Sequence, residues 1–195
     1  YYIMKINFDV DIDMANRDEF LKLIDHVPAS IIREGEYTKH NTGVYFQPIP
    51  QFPLEGYSTI DHKEAEDLGY FKVDFLNNHV YEQIKNEAHL DKLLNTEPMW
   101  ELFGHKELVE QLFHISNHYE IVKQHTPTSI EQLAMILALI RPGKRHLVGN
   151  TWEIIEKEVW EKTEGYFFKR SHAIGYATLI VVQLNLIVEQ AGTSR

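Results

Sequence analysis

Four aspartates carry the clearest chemistry in this sequence: Asp9, Asp11 and Asp13 at alternate positions, and Asp74 two residues after Lys72. Ile6, Phe8, Val10 and Ile12 alternate with Asn7, Asp9, Asp11 and Asp13. A period of two puts the apolar set on one face of a strand and the aspartates on the other, with successive carboxylates about 6–7 Å apart. Oxygen donors at that spacing suit one or two hard divalent cations, Mg²⁺ foremost. A second strand, Tyr70–Leu76, would present Lys72 and Asp74 on its polar face and could supply a further carboxylate. Two such ions about 3.5–4 Å apart are the apparatus of in-line phosphoryl transfer.

A plainer account stands beside this one. Asp-x-Asp-x-Asp is also the pattern of a solvated strand face, and Lys72 two positions from Asp74 is also the pattern of a salt bridge. His114 and His118, four apart, have a zinc-like spacing, but no Glu follows the first histidine and no third ligand accompanies them.

These side chains must be positioned by two kinds of element. Besides the two strands, Asn16–Ile24 reads as a helix with acids in its first turn, and residues 27–60 as turn-rich sheet or loop with a strand at Thr42–Gln47. From Asn77 the apolar spacing becomes three-to-four, predicting helices at Val80–Leu94, Glu107–Ile115, Ile130–Ile140, Trp152–Lys162 and Ser171–Val188. Thr128 and Glu131 form a capping box before the third, and Arg141-Pro142-Gly143 stops it. Ser171 is the expected N-cap of the last. The expected fold is therefore α+β, a small sheet-containing part over residues 1–76 packed on an all-helical part over residues 77–195.

With 195 residues, 44% hydrophobic and 25% charged, the chain can bury a sizeable core, and collagen-like, coiled-coil and disordered classes are excluded. The absence of cysteine removes thiol nucleophiles and thiolate metal sites, and together with Lys5 and Asn7 interrupting the apolar start it leads us to expect a cytoplasmic protein without a secretory leader. Ala173–Val188 is too short and too polar for a bilayer span, so no membrane partner is expected. A net charge of −10 argues against nucleic-acid binding by bulk charge alone. The charge is uneven, however: residues 1–100 carry 9 basic against 18 acidic side chains, whereas residues 101–195 carry 10 against 11. The later bases bunch at Arg141–His146 and at Lys169-Arg170.

Five segments in colinear order resemble motifs of the bacterial replicative DNA polymerase III alpha subunit, family C. Phe8-Asp9-Val10-Asp11 with Arg17-Asp18 is similar to the family's Asp-x-Asp-x-Asp-Phe…Arg-Asp palm motif, with Asn7 where the first aspartate stands. Lys39-His40-Asn41-Thr42-Gly43-Val44 resembles its short His-containing turn. Gly69-Tyr70-Phe71-Lys72-Val73-Asp74-Phe75-Leu76 resembles its Gly-Leu-Val-Lys-Phe-Asp-Phe-Leu-Gly segment, and Leu137–Gly143 its Ala-Leu-Tyr-Arg-Pro-Gly of the fingers. Gly165–Ala177 is similar to its Gly-Tyr-Gly-Phe-Asn-Lys-Ser-His-Ala-Ala-Ala-Tyr-Ala.

The resemblance implies a palm-like front part and a fingers-like rear part. It implies Asp9, Asp11 and Asp74 as ligands of two Mg²⁺ ions (Mn²⁺ in vitro), Lys72 near the transferred phosphoryl group, and Arg141, Lys169, Arg170 and His172 toward a deoxynucleoside triphosphate. DNA primer-template and replication proteins are the implied partners. Tyr166, Phe167 and Phe168 are aromatics that could stack on bases or belong to a core. The departures are large. Residues 12–73 alone separate Asp11 from Asp74, too few for both a palm and a full thumb, Asn77 replaces a glycine, and Trp100-Glu101-Leu102-Phe103 stands in the family's glutamine-bearing segment. Two other functions stay open: a non-catalytic module derived from a polymerase, binding nucleotide, nucleic acid or a replication partner, and an unrelated α+β metal-dependent hydrolase.

Overall fold

The structure is a computed structural model describing residues 10–162 and 168–193, so Asp9, Tyr166 and Phe167 lie outside the described residues. The fold is α+β, and the chain divides into two compact units, Tyr1–Gln83 and Ile84–Arg195.

The first unit is built on four strands, β1 (Val10–Met14), β2 (Val27–Arg33), β3 (Glu36–Tyr45) and β4 (Val73–Asn77), in the spatial order β1-β4-β3-β2. β1 and β4 run parallel, while β4–β3 and β3–β2 are antiparallel. The apolar residues of β4, Val73 and Phe75, are buried with Val44 and Leu21, and Asp74 between them is buried as well; Val10, Met14 and Phe20 pack on this cluster from β1 and α1 (Arg17–Leu21). Asn16 starts α1 by accepting the Glu19 N–H at 3.1 Å, and Asp18 and Glu19 sit in its first turn, where the dipole favours acids. The parallel β1–β4 pair needs a long crossover, which α1, β2, β3 and α2 (His62–Asp67) supply.

The stretch 27–60 is more regular than its prolines and glycines suggest. β2 and β3 form a hairpin whose two-residue turn, Glu34-Gly35, has positive φ at both positions (52° and 87°), as a right-twisted hairpin requires. Of the expected strand Thr42–Gln47, Thr42–Tyr45 is the end of the longer β3, and Phe46 and Gln47 lie beyond it. Register then breaks: Pro28 pairs with Val44 but Ser30 with Lys39, so an irregular bulge occupies β3 between Lys39 and Val44.

The second unit contains α3 (Glu87–Asn95), α4 (Lys106–Val109), α5 (Tyr119–His125), α6 (Ile130–Leu139), α7 (Trp152–Glu158) and α8 (Arg170–Thr193). Every residue from Leu133 to Leu139 is buried, making α6 the centre of the core, and it packs along α8. Each Leu, Ile or Met among them contributes about 1.5–3 kcal/mol of burial. Asn185 of α8 ties down the end of α3 by donating to the carbonyls of Leu93 (3.0 Å) and Thr96 (2.9 Å). Arg170–Gly192 is long and apolar enough to cross a membrane by length and composition, longer than the apolar stretch at Ala173–Val188, and half of its most apolar window is buried inside the unit.

Several expectations are corrected here. The helix expected at Glu107–Ile115 stops at Val109, and His114 sits in a turn with φ of 61°. His118 is the residue before α5, so the two histidines do not share a helix face. The cap of α6 is Ser129, which accepts the Gln132 N–H at 3.2 Å, while Gln132 accepts from the Thr128 N–H and hydroxyl. The N-cap lies one residue later than Thr128, and because Gln132 reaches back to Thr128 rather than to the Ser129 N–H, the reciprocal capping box is not formed. Ser171 lies inside α8, whose start is closed by the Ala173 N–H to the Lys169 carbonyl at 3.0 Å.

Candidate functional site

In the first unit, β-sheet register gathers the polar residues. Asp11 is the register partner of Asp74 across the parallel pair, and Asp74 in turn is paired with Gly43 of β3. Register partners on adjacent strands lie about 4.8 Å apart and point to the same face. Asp11 is exposed and Asp74 is buried, 8% exposed.

Both oxygens of Asp74 are engaged. Thr42 donates its hydroxyl to Oδ1 at 2.6 Å, and the Lys72 ammonium donates to Oδ2. The bulge in β3 permits the first contact, since it turns Thr42 toward the face that its neighbour Gly43 already occupies. His40 shapes that bulge. Its Nδ1 accepts the N–H of Gly43 at 2.9 Å and of Thr42 at 3.3 Å. An acceptor Nδ1 places the ring proton on Nε2 and leaves the imidazole neutral, so its 3.8 Å approach to Asp74 Oδ1 is not an ion pair. Burial, and then the Lys72 charge, hold the His40 pKa below its ordinary value, in agreement with that tautomer. Gly43 is needed for space: a Cβ there would stand 2.7 Å from Lys72 Cδ, so the lysine stem crosses the glycine to reach Asp74.

Asp13 continues the acidic row. Burial, followed by the nearby Asp11 carboxylate, raises its pKa, while a hydrogen bond with the Asn78 side chain opposes the shift. Asp13 also pushes up the Tyr81 phenol, behind the larger effect of burial. Two carboxylates that repel each other, beside a third on the next strand, form a set of hard oxygen donors fit in chemistry for a divalent cation. Among the described residues no group of three or more His, Asp or Glu stands together as a ready metal cage, and Asp9 lies outside them. Carboxylate oxygen is the donor type Mg²⁺ takes, and here Thr42 and Lys72 engage both oxygens of Asp74.

The predicted triphosphate contacts are in the second unit, where Arg141 and His172 meet on one aromatic ring. The Arg141 guanidinium lies 4.7 Å from the centroid of Phe168, and the His172 ring stands perpendicular to the same ring at 6.4 Å. Phe168 is buried and stacks on Tyr176 at 5.6 Å, so it belongs to the core. Lys169 and Arg170 are exposed at the start of α8. His114 packs on Tyr176 at 4.5 Å, and its pKa is lowered by burial and then by Arg141. One member of the basic cluster turns inward: Lys144 is 2% exposed and donates to the Glu158 carbonyl at 2.6 Å.

The spacing of acidic residues gave no sign of Thr42 or of the role of His40; the only pointer was the resemblance of Lys39–Val44 to a His-containing turn. No protein-family model and no curated protein matches the chain.

Proposed function

We infer that the acidic sheet face is a site for Mg²⁺-dependent nucleotidyl transfer of the family C polymerase type. The observation that carries this reading is the register of Asp11 with Asp74 on adjacent parallel strands, with Lys72 on the second carboxylate. Asp11, Asp74 and Asp9 would hold the metal ions, which when bound supply Lewis-acid stabilisation of an attacking hydroxyl and a leaving pyrophosphate. The chain's own residues do the rest. Thr42 fixes the rotamer of Asp74, His40 fixes Thr42 through the backbone, and Lys72 places a positive charge beside the carboxylates where a phosphoryl group would enter. Arg141, Lys169, Arg170 and His172 are the proposed triphosphate contacts, as guanidinium forks and ammonium groups suit phosphate oxygens. DNA primer-template and a deoxynucleoside triphosphate are the proposed substrates.

Primer extension with Mg²⁺ tests this, comparing the full chain with Asp74→Asn. Extension by the first and its loss in the second are expected; equal activity in both would sink the assignment.

One observation favours a second reading, a non-catalytic module that binds nucleotide or a replication partner. Thr42 and Lys72 together occupy both oxygens of Asp74. No extension by either protein, together with thermal stabilisation of the chain by a deoxynucleoside triphosphate, would select it.

A further inference from the structure

The helical unit has an open groove of about 670 Å³ between α4, the turn before α5, and the 3₁₀ helix Pro142–Leu147. Its size is that of a small-molecule site and exceeds what a lone inorganic anion needs. Several of its lining residues carry hydrogen-bond donors. Arg145 is exposed on the groove, and its guanidinium has no ion-pair or hydrogen-bond partner among the described residues. The side chains and backbone N–H groups of Ser116 and Asn117, which also line the groove, likewise have no acceptor among the described residues.

His118 reports the sign of the field. Its pKa is lowered by burial, then by Arg145 and Arg141, with no carboxylate acting against them. Of the two acids on the rim, Glu110 is paired with Lys106 at 3.8 Å, and Glu120 is exposed. The less polar part of the lining is Tyr119, whose hydroxyl donates to the Gly104 carbonyl at 2.8 Å, and Val148.

We propose that this groove binds an organic phosphate, with the phosphate held by Arg145, His118 and the Ser116–Asn117 turn and the organic part lying against Tyr119 and Val148. A phosphate dianion takes several N–H donors at once and pairs with a guanidinium edge, which is the complement of these lining residues. The site is separate from the acidic sheet face and does not depend on its chemistry.

NMR on the full chain tests the proposal, following the Ser116 and Asn117 amides and the His118 ring during titration with inorganic phosphate and, separately, adenosine monophosphate. Sodium chloride at matched ionic strength is the control. Saturable shifts confined to the groove are expected, with adenosine monophosphate binding about tenfold or more tightly than inorganic phosphate. Arg145→Met is expected to weaken binding about tenfold or more while leaving amides elsewhere unmoved, since Arg145 is exposed. Asp74→Asn should leave binding unchanged. Shifts reproduced by sodium chloride, an unaltered affinity in Arg145→Met, or loss of binding in Asp74→Asn would each overturn the site. Equal affinity for the two phosphates would overturn its assignment to an organic ligand.

Discussion

Asp11 and Asp74, far apart in sequence, face each other across the parallel β1–β4 pair, and the second of them is buried under Thr42 and Lys72. A buried carboxylate with an exposed carboxylate beside it is an asymmetric pair. One member is buried and held by protein donors, and the other is solvent-exposed. The bulge between Lys39 and Val44 makes this arrangement possible, because without it Thr42 would point to the opposite face.

Gly43→Ala should disturb the pair indirectly. The new Cβ would meet the Lys72 stem at 2.7 Å and 3.1 Å, and His40 Nδ1 at 3.1 Å. A cost of about 1–3 kcal/mol in urea unfolding is expected, as for an overpacked site. In a Lys72→Ala background that cost should shrink, giving a measurable coupling between the two positions. An identical cost in both backgrounds would show that the stem does not lie over the glycine.

Thr42→Val replaces the hydroxyl that donates to Asp74 Oδ1 at 2.6 Å by a methyl of similar shape. Leaving a buried carboxylate short of one donor should cost about 1–3 kcal/mol by chemical denaturation. Thr42→Ser, which keeps the hydroxyl, should recover most of it. Equal losses in the two variants would refute the role of the hydroxyl.

How much of this was legible beforehand depends on range. Asp11, Asp74 and the burial of Val73 and Phe75 follow from period-two alternation, a local property of each strand. The pairing of β1 with β4 and the hairpin of β2 with β3 are long-range, and Pro28 masked a strand that tolerates it at a register break. The shared position of Arg141 and His172 on Phe168 could not be read from spacing, because 30 residues separate them. The helix expected over Glu107–Ile115 ends at Val109, and His114 beyond it is left-handed, with φ of 61°, a conformation an α-helix does not hold. Lys144 belongs to the run of bases at Arg141–His146, yet it is buried and its ammonium donates to the Glu158 carbonyl at the end of α7, which sequence adjacency does not reveal.

Acid should destabilise the helical unit through His125. This histidine is buried, its Nε2 accepts the Gly149 N–H at 3.1 Å, and burial lowers its pKa from the ordinary 6.5. The unfolded chain therefore takes up the proton first. The stability this group contributes is present above about pH 6.5 and is lost as pH falls from there through the lower folded value. His114 and His118, shifted the same way, add to the slope. Urea unfolding at about pH 7.5 and about pH 5 should show the loss, and His125→Gln should reduce it. A stability that rises on acidification over this window would contradict the buried neutral form.

Lys144 should matter for stability more than its neighbours in the basic cluster. Lys144→Ala removes a buried stem and the donor to the Glu158 carbonyl, with an expected cost of about 2–4 kcal/mol. Arg145→Ala, at an exposed position, should cost less than about 0.5 kcal/mol. Comparable unfolding midpoints for the two variants would show that Lys144 is not bearing on the core.

The central claim is that Asp11 and Asp74 together hold a divalent cation, and Mn²⁺ binding measured by electron paramagnetic resonance on the full chain tests it most directly. The account predicts saturable binding that weakens about tenfold or more in Asp11→Asn and again in Asp74→Asn, each exchanging a charged ligand for a neutral one. Competition by Mg²⁺ should displace the Mn²⁺ from the same site. Binding of undiminished affinity in both variants, or no saturable binding by the unaltered chain, would contradict the account.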